Sequence, residues 1–218
     1  MKKQYFTKEN LKAKGKEMLE QVKKLRAYHN IEIFPDKSAL LIIDMQEYFL
    51  NPSSHAYIPS AETILPGVKK LISVYSEKKL PTIFTLHSNT LENAGMMEKW
   101  WPDLLREGQK ENKLARGLNS SDGIIVEKNQ YDAFYNTNLE EILHENNISQ
   151  VIVCGVLTNI CCETTARSAF VRGFETFFTI DGTAAYSEEH HMATILNLSY
   201  GFAIPILLDE LFAILSKK

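Results

Sequence analysis

Three side chains carry the chemistry the sequence offers, and each follows an apolar run. Asp44 comes directly after ALLII (Ala39–Ile43), Lys128 after IIVE (Ile124–Glu127), and Cys161 a short polar turn after VIVC (Val151–Cys154). A carboxylate at the mouth of an apolar core is a candidate general base; a helix N-cap or turn residue is the alternative role. A lysine there has a long stem and one mobile charge, suited to holding a carboxylate or a developing anion, or to an ordinary surface ion pair. The thiol is the most informative of the three. It falls in the first turn of the helix expected over Asn159–Arg172, where free N–H groups and the positive helix end favour thiolate. In such places a cysteine pKa drops from about 8.5 to roughly 3.5–7.5. The same N–H groups can stabilise an oxyanion. Cys162 is rotated by about 100° from its neighbour on a helix, and Cys154 lies within the preceding strand, so both are expected as small buried hydrophobes.

These residues must be positioned by a framework. Continuous apolar runs predict strands at Ala39–Ile43, Thr82–Leu86, Ile124–Glu127, Val151–Cys154, Thr176–Ile180 and Ala203–Leu207, the last an edge strand because of Pro205. Helical patterns alternate with them at Ser60–Ser76, Thr137–Glu145, Asn159–Arg172, Glu188–Leu198 and Glu210–Ser216. The alternation indicates βαβ units and an α/β fold with a parallel sheet covered on both faces. Ligands of such sheets bind beyond the carboxyl ends of the strands. That places Asp44, His87, Lys128, Gly155–Cys161 and Asp181 around the expected site. The stretch Asn89–Gly123 breaks the rhythm and reads as a long binding loop or lid.

The chain has 218 residues, 44% of them hydrophobic, and a net charge of −3. This suits one α/β domain and argues against nucleic acid as a partner. No apolar run reaches the roughly 20 residues of a membrane helix, and MKKQYFTKENLKAKGKEMLEQ lacks the apolar stretch of a secretory signal. Three clustered cysteines do not make a disulfide framework, so the cytoplasm is the expected compartment. Residues Lys8 to about Tyr28 form a narrow amphipathic helix weakened at Gly15. It either packs on its own domain or forms an arm crossing to a neighbouring subunit. His87 stands alone, and His190 and His191 are adjacent, so no metal-ligand spacing is present. No glycine-rich phosphate loop is visible.

LLIIDMQEYF around Asp44, EKNQYDAFYNTNLEEIL around Lys128 and GVLTNICCETTARSAF around Cys161 together resemble the isochorismatase-like cysteine hydrolases. The likeness covers roughly Lys37 to Leu208. It implies a three-layer α/β/α fold whose six-stranded parallel sheet has the order 3-2-1-4-5-6, in a homodimer or homotetramer. It further implies that Asp44 and Cys161 meet at the switch point, with Lys128 entering from the third strand. In cysteine-bearing members the aspartate takes the thiol proton and passes it to the leaving amine, while the lysine orients the pair. The resemblance places a cis peptide at Val156–Leu157 and an oxyanion hole at the N–H groups of Leu157 and Cys161.

Two departures narrow the expectation. Nicotinamidases of the superfamily hold a metal with an aspartate and two histidines beside the second strand; here TLHSNT offers His87 alone, which argues against a metal-dependent nicotinamidase. Isochorismatases usually have glycine where this chain has Cys161, although DMQEYF and ETTARSAF look isochorismatase-like. The expected activity is therefore hydrolysis of a C–N bond in a small amide or ureido substrate through a thioester acyl-enzyme, with no cofactor and no metal. The alternatives are vinyl ether hydrolysis with Asp44 as general acid, and a non-catalytic oligomeric member. His87, Trp100, Trp101 and Tyr131 are expected to line the pocket, and Arg167 to brace its helix. The expected organisation is an N-terminal helical arm over 1–30 and a hydrolase domain over 31–218.

Overall fold

The computed structural model describes residues 2–217. Six parallel strands form one sheet in the order β3-β2-β1-β4-β5-β6: β1 Ser38–Ile43, β2 Thr82–His87, β3 Ile124–Lys128, β4 Gln150–Val156, β5 Glu175–Ala184 and β6 Ile204–Ile206. All six residues of β1 are buried, as are all seven of β4, which is why their sequences read as unbroken apolar runs. The expected fold class and strand order hold. Pro205 sits in β6 at the sheet edge, where a missing N–H leaves no ladder bond unmade.

The helices are α1 Leu11–Tyr28, α2 Glu47–Leu50, α3 Ala61–Glu77, α4 Met96–Trp100, α5 Leu139–Glu145, α6 Glu163–Val171, α7 Glu188–Gly201 and α8 Leu208–Leu215. Right-handed crossovers running opposite ways from the β1–β4 centre place α3 and α6 on opposite faces. α8 joins α3, and α7 joins α6. The order in which strands are added reverses between β1 and β4, so the crevice opens beside Asp44 and the turn after β4. β1 and β4 approach closely there. Gly155 has φ +115, and a Cβ on it would lie 2.1 Å from the Ile43 carbonyl oxygen.

α1 lies against β5, β6 and α7. Met18 and Val22 are buried under it, and Gly15 lets the helix settle on Leu207 and Asp181. Ion pairs Lys12–Asp209 and Arg26–Glu210 join it to the start of α8, and Lys14–Glu188 to the start of α7. Of the two roles expected for this helix, packing on its own sheet is the one the described chain adopts. The segment before it is also built in: Phe6 is fully buried and Tyr5 nearly so.

The long connection after β2 carries the short α4 and is pinned to the strand ends. Asn89 N–H donates to Leu105 O, Ala115 N–H to Met45 O and Glu47 N–H to Lys113 O. Gln46, fully buried, accepts from the His87 N–H and donates to the Asn112 side chain.

Candidate active site

Asp44 directly follows β1 with φ +49, a left-handed conformation that aspartate tolerates better than most side chains. This turns its carboxylate across the strand ends. Oδ1 accepts from the Thr85 hydroxyl at 2.6 Å, and the Thr85 oxygen accepts from the Asp44 N–H at 3.0 Å. Lys128, the last residue of β3, extends beneath β2 so that its Nζ lies 2.8 Å from Asp44 Oδ2, with both side chains fully buried. Its ammonium also donates to Gln130 O at 2.9 Å. Burial pushes the lysine pKa down, but Asp44 and Cys161 together outweigh it, and the net direction is upward.

The turn after β4 supplies the thiol. Val156–Leu157 is cis. A π-helical turn, Thr158–Cys162, follows and runs straight into α6. The N–H groups of Ile160 and Cys162 both donate to Leu157 O at 3.1 Å. The Leu157 N–H meets no acceptor among the described residues. Cys161 lies close enough to Asp44 and Lys128 for the charges of both to act on its thiol. The structure thus brings Asp44, Lys128 and Cys161 together.

The state of the thiol differs from the sequence expectation. Burial pushes the Cys161 pKa well above the usual thiol value; Lys128 opposes this in part, and Asp44 adds to it. The helix end was expected to lower it, but a thiol buried to 6% exposure beside a carboxylate loses more from desolvation than a helix end returns. The resting group is a thiol, so its proton must move as it attacks. Cys154 and Cys162 are fully buried, as expected.

Cys161 opens onto a cavity of about 310 Å³ whose walls are mainly apolar. Leu157 and Ile160 flank the sulfur. Trp101 and Tyr131 form one wall, joined by a 2.8 Å hydrogen bond from the indole N–H to the phenol oxygen. Tyr48, Phe49 and Tyr186 form another, and Lys2, His55, His87 and Asp103 contribute further polar groups. The Lys2 ammonium donates to His55 O and lies 4.7 Å from the centre of the Tyr186 ring. Sequence reasoning found Trp101 and Tyr131 but not Thr85, Tyr48 or Tyr186. The adjoining QEYF was a signal for Tyr48; nothing local marks Thr85, whose role exists only through the β1–β2 pairing.

Two expected residues, Trp100 and Asp181, are placed differently, and His87 lines the cavity with its ring already engaged. Trp100 is 71% exposed and does not line the cavity. It closes α4, whereas Trp101 is extended at φ −108 and ψ 132, so the two indoles part. His87 does line the cavity, but both ring nitrogens are engaged. Asn89 donates its amide to Asn129 O, leaving its Oδ1 to accept from His87 Nε2 at 3.0 Å, while His87 Nδ1 faces Lys128 Nζ at 3.5 Å. Burial, and then the Lys128 charge, push its pKa down to about 4, so it is neutral. Asp181 stands within a β5 longer than expected and accepts from the Leu208 N–H at 2.8 Å, away from the cavity. Arg167 pairs with Glu163 at 2.7 Å and braces α6. The ligand set that nicotinamidases of this superfamily use for a metal does not fit here: among the described residues no three His, Cys, Asp or Glu side chains converge on one point, and the nitrogens of His87 are taken.

Residues 38–210 match the model of the isochorismatase domain. The chain is 38% identical to nicotinamidase 3 of Arabidopsis thaliana, over 80% of this chain and 86% of the relative. It is 28% identical to an isochorismatase of Bacillus subtilis, over 81% of this chain but only 57% of that protein's length. A cysteine hydrolase of Pseudomonas syringae superimposes with a TM-score of 0.81 at 25% identity, covering 85% of this chain and 95% of that one. The domain match spans most of the sequence and takes in all three strand-end residues: the chain belongs to the isochorismatase family of hydrolases.

Proposed function

We propose that the enzyme hydrolyses a C–N bond of a small amide or ureido compound through a thioester on Cys161. The observation that carries this reading is the fully buried Asp44–Lys128 ion pair at 2.8 Å with the Cys161 thiol beside it at the cavity end. As Cys161 Sγ bonds to the carbonyl carbon, its proton passes to Asp44. The carbonyl oxygen takes the electron pair and is held by the Leu157 and Cys161 N–H groups. Asp44 then protonates the nitrogen, the C–N bond breaks and the amine leaves. Water adds to the thioester, giving its proton to Asp44, and the acid departs with the thiol restored. Lys128 stays charged and fixes the carboxylate. Trp101, Tyr131 and Tyr48 offer flat apolar walls, suited to a planar substituent on the carbonyl. The likeness to a plant nicotinamidase makes aromatic carboxamides the first compounds to try.

Intact-mass spectrometry during turnover of a panel of aromatic amides, aliphatic amides and ureas is expected to show one acyl adduct, mapped to Cys161. Cys161→Ala should lose both adduct and turnover; full turnover in that variant would sink the reading. A second reading is favoured by the 28% identity to an isochorismatase: vinyl ether hydrolysis with Asp44 as acid. Cys161→Gly separates the two, since it removes the thiol that amide cleavage needs and leaves Asp44 and Lys128 in place.

The same reading places the enzyme in the cytoplasm as a homodimer or homotetramer. No described helix is long and apolar enough to cross a membrane. Phe170 and Val171 on α6, with Leu196 and Tyr200 on α7, are exposed apolar side chains that a partner subunit would cover. Light scattering that returned only a monomer at micromolar concentration would refute the assembly.

A further inference from the structure

We infer that Tyr5, which precedes the family domain, is a positioning residue for the nucleophile turn, acting through His191 and Thr158. The inference rests on Cys161 being the attacking group. The family match begins at residue 38, yet residues 2–10 are held in place along their length. Lys3 N–H donates to Tyr186 O at 2.8 Å, and the N–H groups of Tyr5 and Phe6 both donate to Ser60 Oγ, at 3.1 and 3.2 Å. Thr63 Oγ1 donates to Phe6 O at 3.0 Å, and Asn10 Nδ2 to Tyr5 O at 3.0 Å.

This strap delivers the Tyr5 phenol to a fully enclosed polar junction. The Ala185 N–H donates to the phenol oxygen at 2.9 Å, and the phenol hydroxyl faces His191 Nδ1 at 2.9 Å. The same Nδ1 lies 2.9 Å from Thr158 Oγ1. His191 and Thr158 are completely buried. Thr158 is the first residue of the π-helical turn that ends in Cys161 and Cys162. The turn is held by Leu157 O through the Ile160 and Cys162 N–H groups and, on the other side, by the Thr158 hydroxyl. A tilt of the turn moves Sγ relative to Asp44 Oδ2, and displacements of about 1 Å at a reacting atom cost up to roughly a hundredfold in rate. Burial pushes the His191 pKa down to about 3, so the imidazole is neutral and the junction fixes the turn without adding a charge to the site.

The experiment measures steady-state kinetics on the best amide of the panel, together with the rate of Cys161 alkylation by iodoacetamide and the thermal midpoint. Tyr5→Phe removes only the hydroxyl. It is expected to lower kcat by roughly tenfold with KM within about twofold, and to slow alkylation in parallel while the protein remains folded. Thr158→Val should show the same loss, and Thr158→Ser, which keeps the hydroxyl, should recover most of it. The Tyr5→Phe/Thr158→Val double variant should be no worse than either single one, because both break one chain of contacts. Wild-type kcat and alkylation in folded Tyr5→Phe, or fully additive losses in the double variant, would overturn the inference. If Tyr5→Phe does not fold, the Thr158 pair decides, and equal rates for Val and Ser overturn it. Failure of the underlying reading shows separately, as turnover retained in Cys161→Ala.

Discussion

Lys128 and Asp44 pair a positive and a negative charge with both side chains fully buried. Such a pair contributes little net stability when intact, because desolvation offsets attraction, but losing one partner strands the other at a cost of about 3–5 kcal/mol. Two consequences can be separated by mutation. Lys128→Met should cost stability of about that size and cut turnover by roughly a thousandfold, since it removes the group that fixes the carboxylate. Adding Asp44→Asn should restore much of the lost stability by removing the stranded charge, yet leave turnover at the background level. Urea unfolding read beside the kinetics checks both. A double variant as unstable as Lys128→Met alone would show that the two charges do not compensate each other. His87 contributes to the same pair as a neutral acceptor for the lysine. Its ring therefore offers substrate its edge carbons, not a hydrogen-bonding nitrogen.

At the scale of elements, the sheet and its helices pull ionisable groups into places a surface would not. Asp181 is one: burial, eased partly by the Leu208 N–H, raises its pKa to about 6 from an ordinary 3.8. The folded state therefore binds this proton more tightly than the unfolded chain. The associated stability is fully present below pH 3.8 and is lost as pH rises through 6. Asp181→Asn keeps an oxygen for the Leu208 N–H and removes the charge. It should be more stable than the parent above about pH 6, by about 2–3 kcal/mol at most, with the gain shrinking to nothing near pH 4. A gain that stayed constant with pH would refute the assignment. Asp181 also shows where sequence reading stops. The apolar runs revealed every strand, because buried parallel strands have no polar face to disguise them, and the strand-end rule then found Asp44, Lys128 and Cys161. It failed at Asp181 because β5 continues to Ala184 through a break in its register with β4, between Val153 and Gly155. It failed on the thiol's acidity because desolvation belongs to the packed turn, not to its sequence. The short α2 and α4 were missed since four or five residues carry no periodicity.

For the whole molecule, the question is whether the N-terminal 30 residues are an arm or part of the body. Composition and the domain boundary both favour an arm, and a chain beginning near residue 31 retains the full sheet. The packing favours the body. Phe6 and Val22 have no exposed surface, Met18 has 2%, and Tyr5 and Lys2 extend to the nucleophile turn and the cavity mouth. Burying a large apolar side chain contributes about 1.5–3 kcal/mol. Removing three of them, with three ion pairs to α7 and α8, cuts into a margin that is only about 5–15 kcal/mol for a typical domain. A chain lacking residues 1–30 is expected to unfold at a much lower temperature and to expose the β5–β6 side of the sheet, seen as dye binding and aggregation. Met18→Ala in the intact chain should cost about 2–5 kcal/mol, with turnover at low temperature nearly unchanged because Met18 touches neither the cavity nor the turn. A truncated protein with the parent's thermal midpoint and turnover would make the first helix a separable arm and leave the site complete without it.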